Sequence, residues 1–342
     1  MINRRRVLQA AGAALLIPSA ARAEDELARL YEDAKREGEI TWYIAQIDSE
    51  AAERVGKLFG EIYPGVRANV VRATGQVVYQ RLMQDEKVGV RNCDVFGTTD
   101  LGHTVTLNRS KLLAAYAPKN LAACEPLFRD FDPQHFVTCT GGNCTSLVFS
   151  SSLAAADAPR DWKDLVDPKW SGQVAVGHPG YSGAMGAWVV EMEKRFGWSF
   201  FEALARNKPL VSRSLVDPPN TIASGERKIG LGPSNLILTL KNNGRPLDIV
   251  YPASGVILQV APTSVMANAP HPNAARLFVE FLLSPPAGKM LAADFGIPMR
   301  ADVTRQPGVA DLGSLSIIRP NPEELEKKVP EVVEKWRDTF GV

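Results

Sequence analysis

The sequence predicts an α/β protein whose sheet is largely parallel and covered on both faces, and three observations lead there. From Ile40 to Phe96 short apolar runs alternate with helix-periodic segments. The runs end in turn residues, as strands buried between helices do. The chain has 342 residues, 45% hydrophobic and 23% charged, which is ordinary globular composition and enough for two domains with cores of their own.

The N-terminus stands apart from this pattern. Asn3-Arg4-Arg5-Arg6-Val7-Leu8-Gln9 precedes an apolar tract from Ala10 to Ile17, then Pro18 and Ala21-Arg22-Ala23. A basic region, a short apolar region and a small-residue cleavage site in that order make an export signal, residues 1–23, and the arginine pair resembles the twin-arginine type. The apolar tract is too short to cross a bilayer, so the expectation is export to the periplasm with cleavage after about Ala23. Cleavage removes four arginines and no acids, leaving 35 basic against 38 acidic residues. That balance gives no sign of a nucleic-acid partner. No later stretch has the uninterrupted apolar length of a membrane span, so a soluble mature chain is expected.

After the signal, Leu27, Leu30, Tyr31 and Ala34 mark one helix face, ended by Gly38. Ile40 to Ile44 is a strand, a helix runs from about Glu50 to Ile62, and Tyr63-Pro64-Gly65 turns into a strand from Val66 to Val71. A helix from Val77 to about Lys87 and a strand from Cys93 to Phe96 follow. In such sheets ligands collect beyond the carboxyl ends of strands. Three loops lie there: Ala45-Gln46-Ile47-Asp48, Thr74-Gly75-Gln76 and Thr98-Thr99-Asp100. Their small or amide side chains bond a ligand without crowding it, though each loop also fits plain helix capping. Phe136 to Ser150 is strand-like again, with Cys139-Thr-Gly-Gly-Asn-Cys144 as a small loop inside it. With Cys93 and Cys124 this makes four cysteines, an even number that suggests disulfides in an oxidising compartment. Cys139 with Cys144 and Cys93 with Cys124 is the expected pairing; the spacing is not that of a zinc site.

Gln173 to Val176 reads as a strand, and Gly177 to Gly183 as a glycine-rich turn. A helix-periodic tract then places Ala184, Trp188, Met192 and Phe196 on one face until Gly197. A helix start of this composition leaves amides unpaired and attracts an anion; Ser182 alternatively caps its own helix. Tyr181, Ser182, Gly183 and Ala184 are therefore candidate ligand contacts. Trp162 and Trp170 read as core fillers rather than stacking platforms. Ser199 and Glu202 open a helix by a capping box. Arg213 is either a fork for an anionic ligand or a solvated charge. Val256 to Ala261 and Ser264 to Asn268 read as two strands, Asn273 to Leu283 as an amphipathic helix, and Pro322 to about Trp336 as the last helix. The histidines, His103, His135, His178 and His271, lie in no nucleophile motif, no pair of acids is spaced for hydrolysis, and no cofactor motif is present. An enzyme is not expected, nor a cofactor.

Trp162 to Gly172 leading into Pro179 to Ala184, the phrase ending Phe281-Leu282-Leu283-Ser284-Pro285, and Gly296-Ile297-Pro298-Met299-Arg300 resemble, in this order, the periplasmic solute-binding proteins of ABC importers, in the branch that includes the ferric-ion binders. The resemblance implies a two-lobed type II periplasmic-binding-protein fold, each lobe a mixed sheet flanked by helices, with solute in the cleft. It implies a first lobe of residues 24–134 and 264–300, a second lobe of 135–263, and a C-terminal segment, 301–342, packing on the second lobe. The implied partners are a small-molecule solute and an inner-membrane permease with its ATPase, with the binding protein a monomer. Positions matching the branch's iron ligands hold Ile47, Thr99, Asn235 and Leu236, which lack the hard anionic oxygens a ferric ion needs. The branch's anion turn is matched by Ser182-Gly183-Ala184. An organic anion is thus the expected solute, gripped also by Gln46, Thr74, Gly75, Gln76, Thr98, Thr99, Tyr181, Arg213, Ser234 and Asn235. A cationic or zwitterionic solute such as a polyamine or a thiamine-like compound is the alternative, and service to a sensor rather than an importer a further one.

Overall fold

A computed structural model of the protein describes residues 19–342, with the backbone alone for 19–24. Most of the expected export signal lies outside the described residues, and its expected cleavage point falls within the first helix. The elements are α1 (Ser19–Glu37), β1 (Glu39–Ile44), α2 (Ser49–Ile62), β2 (Arg67–Arg72), α3 (Gly75–Lys87), β3 (Val95–Gly97), α4 (Leu101–Arg109), β4 (Leu113–Ala114), α5 (Pro126–Arg129) and β5 (Thr138–Ser150). There follow β6 (Val174–Gly177), α6 (Gly183–Phe196), α7 (Ser199–Arg206), β7 (Leu210–Ser212), α8 (Asp217–Ala223), β8 (Ile229–Pro233), α9 (Ser234–Asn242) and β9 (Leu247–Val250). The chain closes with β10 (Val256–Met266), α10 (Pro272–Leu282), α11 (Pro285–Ala293), β11 (Ile317–Ile318) and α12 (Pro322–Phe340).

The strands form one sheet in the order β2-β1-β3-β10-β5-β8-β6-β7, with β4 and β11 on β10 and β9 on β5. Its outer parts are parallel: β2-β1-β3 makes a first half, β8-β6-β7 a second. Between them β5 and β10 run antiparallel to each other and, respectively, to β8 and β3. These two strands, long enough to serve both halves, are the connection.

Two sequence expectations are corrected here. The pair of strands expected between Val256 and Asn268 is one strand, β10, whose register against β5 shifts between Val260 and Pro262. Proline has no amide to donate to a ladder, so Pro262 sits at this irregularity rather than ending the strand. The loop expected between Cys139 and Cys144 is likewise extended strand. All four cysteines are free and buried. At about 3.3 Å per residue the two ends of that stretch lie roughly 16 Å apart along β5, beyond the reach of a disulfide. Cys93 packs with Tyr43 and Phe96, whereas Cys124 lies in a separate cluster with Phe128, Cys139 and Cys144, so the second expected pair is not formed either.

Each half has its own core. In the first, Trp42 of β1 meets Phe278 of α10 edge-on at 5.0 Å, and Phe59 of α2 contacts both Phe278 and Phe281. In the second, Trp162, Trp188, Phe201 and Trp336 are buried together, with the indole of Trp162 donating to the Gly255 carbonyl. Trp162 and Trp188 are thus core residues. The first core is tied to the segment leading toward β5 by Glu280 of α10, which is 1% exposed. It accepts from the Tyr116 hydroxyl and from the amides of Lys119 and Asn120, at 2.6–3.0 Å.

Removing that carboxylate strands three part-buried donors. Glu280→Ala is expected to destabilise the protein by about 3 kcal/mol and Tyr116→Phe by about 1 kcal/mol in urea unfolding; equal small effects would show that Glu280 is not the tie.

Candidate ligand-binding cleft

The three polar loops expected at the sheet edge do come together. Thr98 and Thr99 follow β3 and face Gly75 at the start of α3: a Cβ on Gly75 would lie 2.7 Å from Thr99 Oγ1 and 3.7 Å from Thr98 Oγ1. Only a glycine allows this approach. Gln46, after β1, sits against Gly97 and donates from Nε2 to the Pro262 carbonyl of β10 at 2.6 Å, anchoring the first loop to the connecting strand. Thr74 precedes α3 without capping it by its side chain, and its hydroxyl is buried without a hydrogen-bond partner. Gln76 is half-buried in the first turn of that helix.

In the second half, the glycine-rich turn after β6 delivers α6 as the sequence suggests. Ser182 accepts weakly from the Met185 amide at 3.4 Å, so it caps its own helix. The amides of Gly183 and Ala184, as in the first turn of any helix, have no intrahelical acceptor. Tyr181 is partly exposed, with the Arg213 guanidinium 5.4 Å and the His178 ring 4.9 Å from its ring. Ser234 is committed to structure, its hydroxyl accepting from the Cys144 amide at 3.0 Å. Neighbouring Asn235 keeps its Oδ1 buried without a partner.

The halves touch at one place that sequence reasoning did not foresee. A Cβ on Gly183 would fall 2.4 Å from the Cβ of Asp100, so the loop after β3 lies directly on the start of α6. Asp100 caps α4 through the Gly102 amide at 2.8 Å, which fixes its carboxylate there. The last helix reinforces the contact. α12 lies against α6 and α7, and against α4 as well: Glu326 accepts from both Arg109 guanidinium nitrogens at 2.8 and 2.9 Å and from the Thr106 hydroxyl at 2.9 Å. Lys194 of α6 meets Glu324, and Lys335 meets Glu193. Glycine at 102 is required, because a Cβ would press on the Glu326 backbone at 2.8 Å.

His103, which the sequence presented only as one histidine of four, supports this loop. Its ring stacks on Tyr79 at 3.9 Å, and Nδ1 lies 3.0 Å from Thr98 Oγ1. Burial pushes its imidazole below the usual 6.5, partly offset by the Asp100 carboxylate. Among the described residues one cavity lies against the hinge strand β10 beside the Asp100 loop and another at the sheet edge. The first, about 420 Å³, is bounded by Leu101, Phe131, Leu258, Val260 and Arg319; the other opens over Gly56, Gly60 and Arg67 beside the β2 edge.

Two covered half-sheets meeting over polar strand ends, and connected within the sheet by a pair of long central strands, are the architecture of a two-lobed solute-binding protein. The chain belongs to the bacterial extracellular solute-binding proteins, whose family model matches residues 107–312. Among curated relatives, the spermidine/putrescine-binding periplasmic protein of Salmonella typhimurium is 26% identical over 232 residues, 64% of this chain and 63% of its own. The phosphoglycerate transport regulatory protein of the same organism is 28% identical over 206 residues, 56% of this chain. The chain spans about half to two thirds of the length of these relatives. The periplasmic binding protein AfuA of Actinobacillus pleuropneumoniae, solved with fructose-6-phosphate, superimposes with a TM-score of 0.80 at 21% identity, covering 89% of this chain and 99% of that one. Iron-bound HitA of Pseudomonas aeruginosa gives 0.76 at 22%, covering 88% and 99%. The fold is therefore the type II periplasmic-binding-protein fold of the ferric-binding-protein-like branch.

Because the folded state disfavours protonated His103, its contribution to stability is complete above about pH 6.5 and is lost as pH falls through the depressed value. Thermal unfolding between pH 7 and 5 should show this loss, and His103→Gln should flatten it; an unchanged slope would mean that the ring is not held neutral.

Proposed function

We propose that this chain is the periplasmic solute-binding component of an ABC importer, capturing a small organic anion (a carboxylate, phosphonate, phosphate ester or sulfonate) between its halves and presenting the closed form to a membrane permease and its ATPase. One observation carries the reading: the two halves, hinged on β5 and β10, meet where the unpaired amides of Gly183 and Ala184 begin α6. Helix starts of this kind favour negative charge. Arg213 adds the fork of a guanidinium beside Tyr181 at the rim. In the closed arrangement Asp100 covers Gly183, so a solute reaches those amides only when the halves part, and the solute then replaces the loop contact. The relatives' phosphoglycerate and fructose-6-phosphate are anionic esters and support this class. Ile47, Thr99, Asn235 and Leu236 offer no hard anionic oxygen, so ferric ion is not proposed.

A cationic solute is the second reading, because Asp100 places a carboxylate at the same contact and one relative is named for spermidine and putrescine. Thermal unfolding against a panel of organic anions and polyamines separates the two. A ligand that binds only the folded protein stabilises it by about 2.7 kcal/mol at roughly a hundred times its Kd. Stabilisation by a carboxylate or phosphate ester, lost in Ser182→Ala/Gly183→Leu, is the expected result; stabilisation by spermidine alone would overturn the anion reading.

A further inference from the structure

The connecting strands carry two uncharged carboxamides, Asn143 and Gln259, and two more, Gln46 and Asn235, lie beside them. Asn143 of β5 stands directly opposite Gln259 of β10 in the antiparallel ladder, so the two side chains share a face about 5 Å apart. Gln259 Nε2 donates to Thr145 Oγ1 at 2.9 Å, which sets the orientation of that face. The Ser234 hydroxyl takes the amide of Cys144, next in sequence to Asn143, and thereby brings Asn235 to the same strand. Pro262, three positions beyond Gln259, accepts from Gln46. Four carboxamides, from both halves and from the hinge between them, thus stand on or beside the connecting strands, and all four residues are half-buried.

Two of their atoms lack partners. Asn143 Oδ1 and Asn235 Oδ1 are buried with no hydrogen-bond donor. Buried polar atoms are bonded in the great majority of cases, so these acceptors call for donors from a guest. The chemistry of the guest follows from the amides themselves. An ammonium only donates and is matched by carboxylates; a phosphate only accepts and is matched by arginine or lysine. A hydroxyl does both, as a carboxamide does. We infer that these carboxamides read the hydroxyl groups of the solute body, and hence that the solute is a polyhydroxylated organic anion such as a sugar acid or sugar phosphate. The inference rests on the anion reading above for the charged end and adds the identity of the rest.

The test is calorimetric titration of the full chain with pairs matched in charge and carbon number: gluconate against hexanoate, and ribose 5-phosphate against pentyl phosphate. The hydroxylated member of at least one pair should bind about tenfold or more tightly than its partner, since each neutral hydrogen bond is worth up to about a factor of ten. Gln259→Leu and Asn143→Leu should each weaken that member about tenfold and change the binding of inorganic phosphate by less than about threefold. Unliganded unfolding midpoints check that the variants fold, and should Asn143→Leu not fold, Gln259→Leu decides. Equal affinities within both pairs, or unaltered affinity in Gln259→Leu, would overturn the inference while leaving the anion reading in place, the amides then being served by ordered water. Binding of spermidine with no binding of any anion would remove both.

Discussion

The structure depends on the ladder between β5 and β10. The two parallel groups of strands lie on either side of it, and these two strands pair with each other and, at their outer edges, with β8 and β3. Backbone hydrogen bonds hold the ladder regardless of side chain, which frees its side chains for recognition. Motion of one half against the other must pass through it. The register shift between Val260 and Pro262 lies within this ladder, and an irregularity there loosens local pairing and bends the strand.

From that constraint the arrangement of the cleft follows. Parallel half-sheets present their carboxyl ends toward the connection, so Gln46, Gly75, Thr98 and Thr99 on one side face the start of α6 on the other. Closure is secured by shape as much as by charge. Gly183 admits Asp100 across the halves and Gly102 admits Glu326 of the last helix, and either contact would clash if a Cβ were added; Gly75 admits Thr99 within the first half. The ion pairs of α12 with α4 and α6 are mostly exposed and contribute modestly one by one; their placement, on helices of both halves, matters more than their number.

Much of this was legible in the sequence. The alternation from β1 to β3, the polar strand ends and the helix start at Gly183 are local patterns, and they were read within a few residues. The misreadings were of a different kind. β10 looked like two strands because Pro262 breaks the apolar run, and no local signal says that a long strand tolerates it at a shift in register. Cys139 and Cys144 looked like the ends of a loop because Thr-Gly-Gly-Asn is turn chemistry; the neighbouring strands β8 and β10 override that preference on both sides. Asp100 belongs to a loop that the sequence marks, but its contact with Gly183 does not show there; His103, Asn143 and Gln259 became candidates only in three dimensions, since their significance lies in contacts between segments far apart in the chain.

The central claim is that the two halves close on a solute about β5 and β10. Small-angle X-ray scattering of the purified protein, with and without a saturating concentration of whichever hydroxylated anion stabilises it, tests this most directly. The account predicts that the solution without solute contains open molecules and scatters as a larger particle, and that solute shifts the curve to that of a more compact particle with the halves closed on it. Binding at full occupancy with a scattering curve identical to that of the free protein would contradict it.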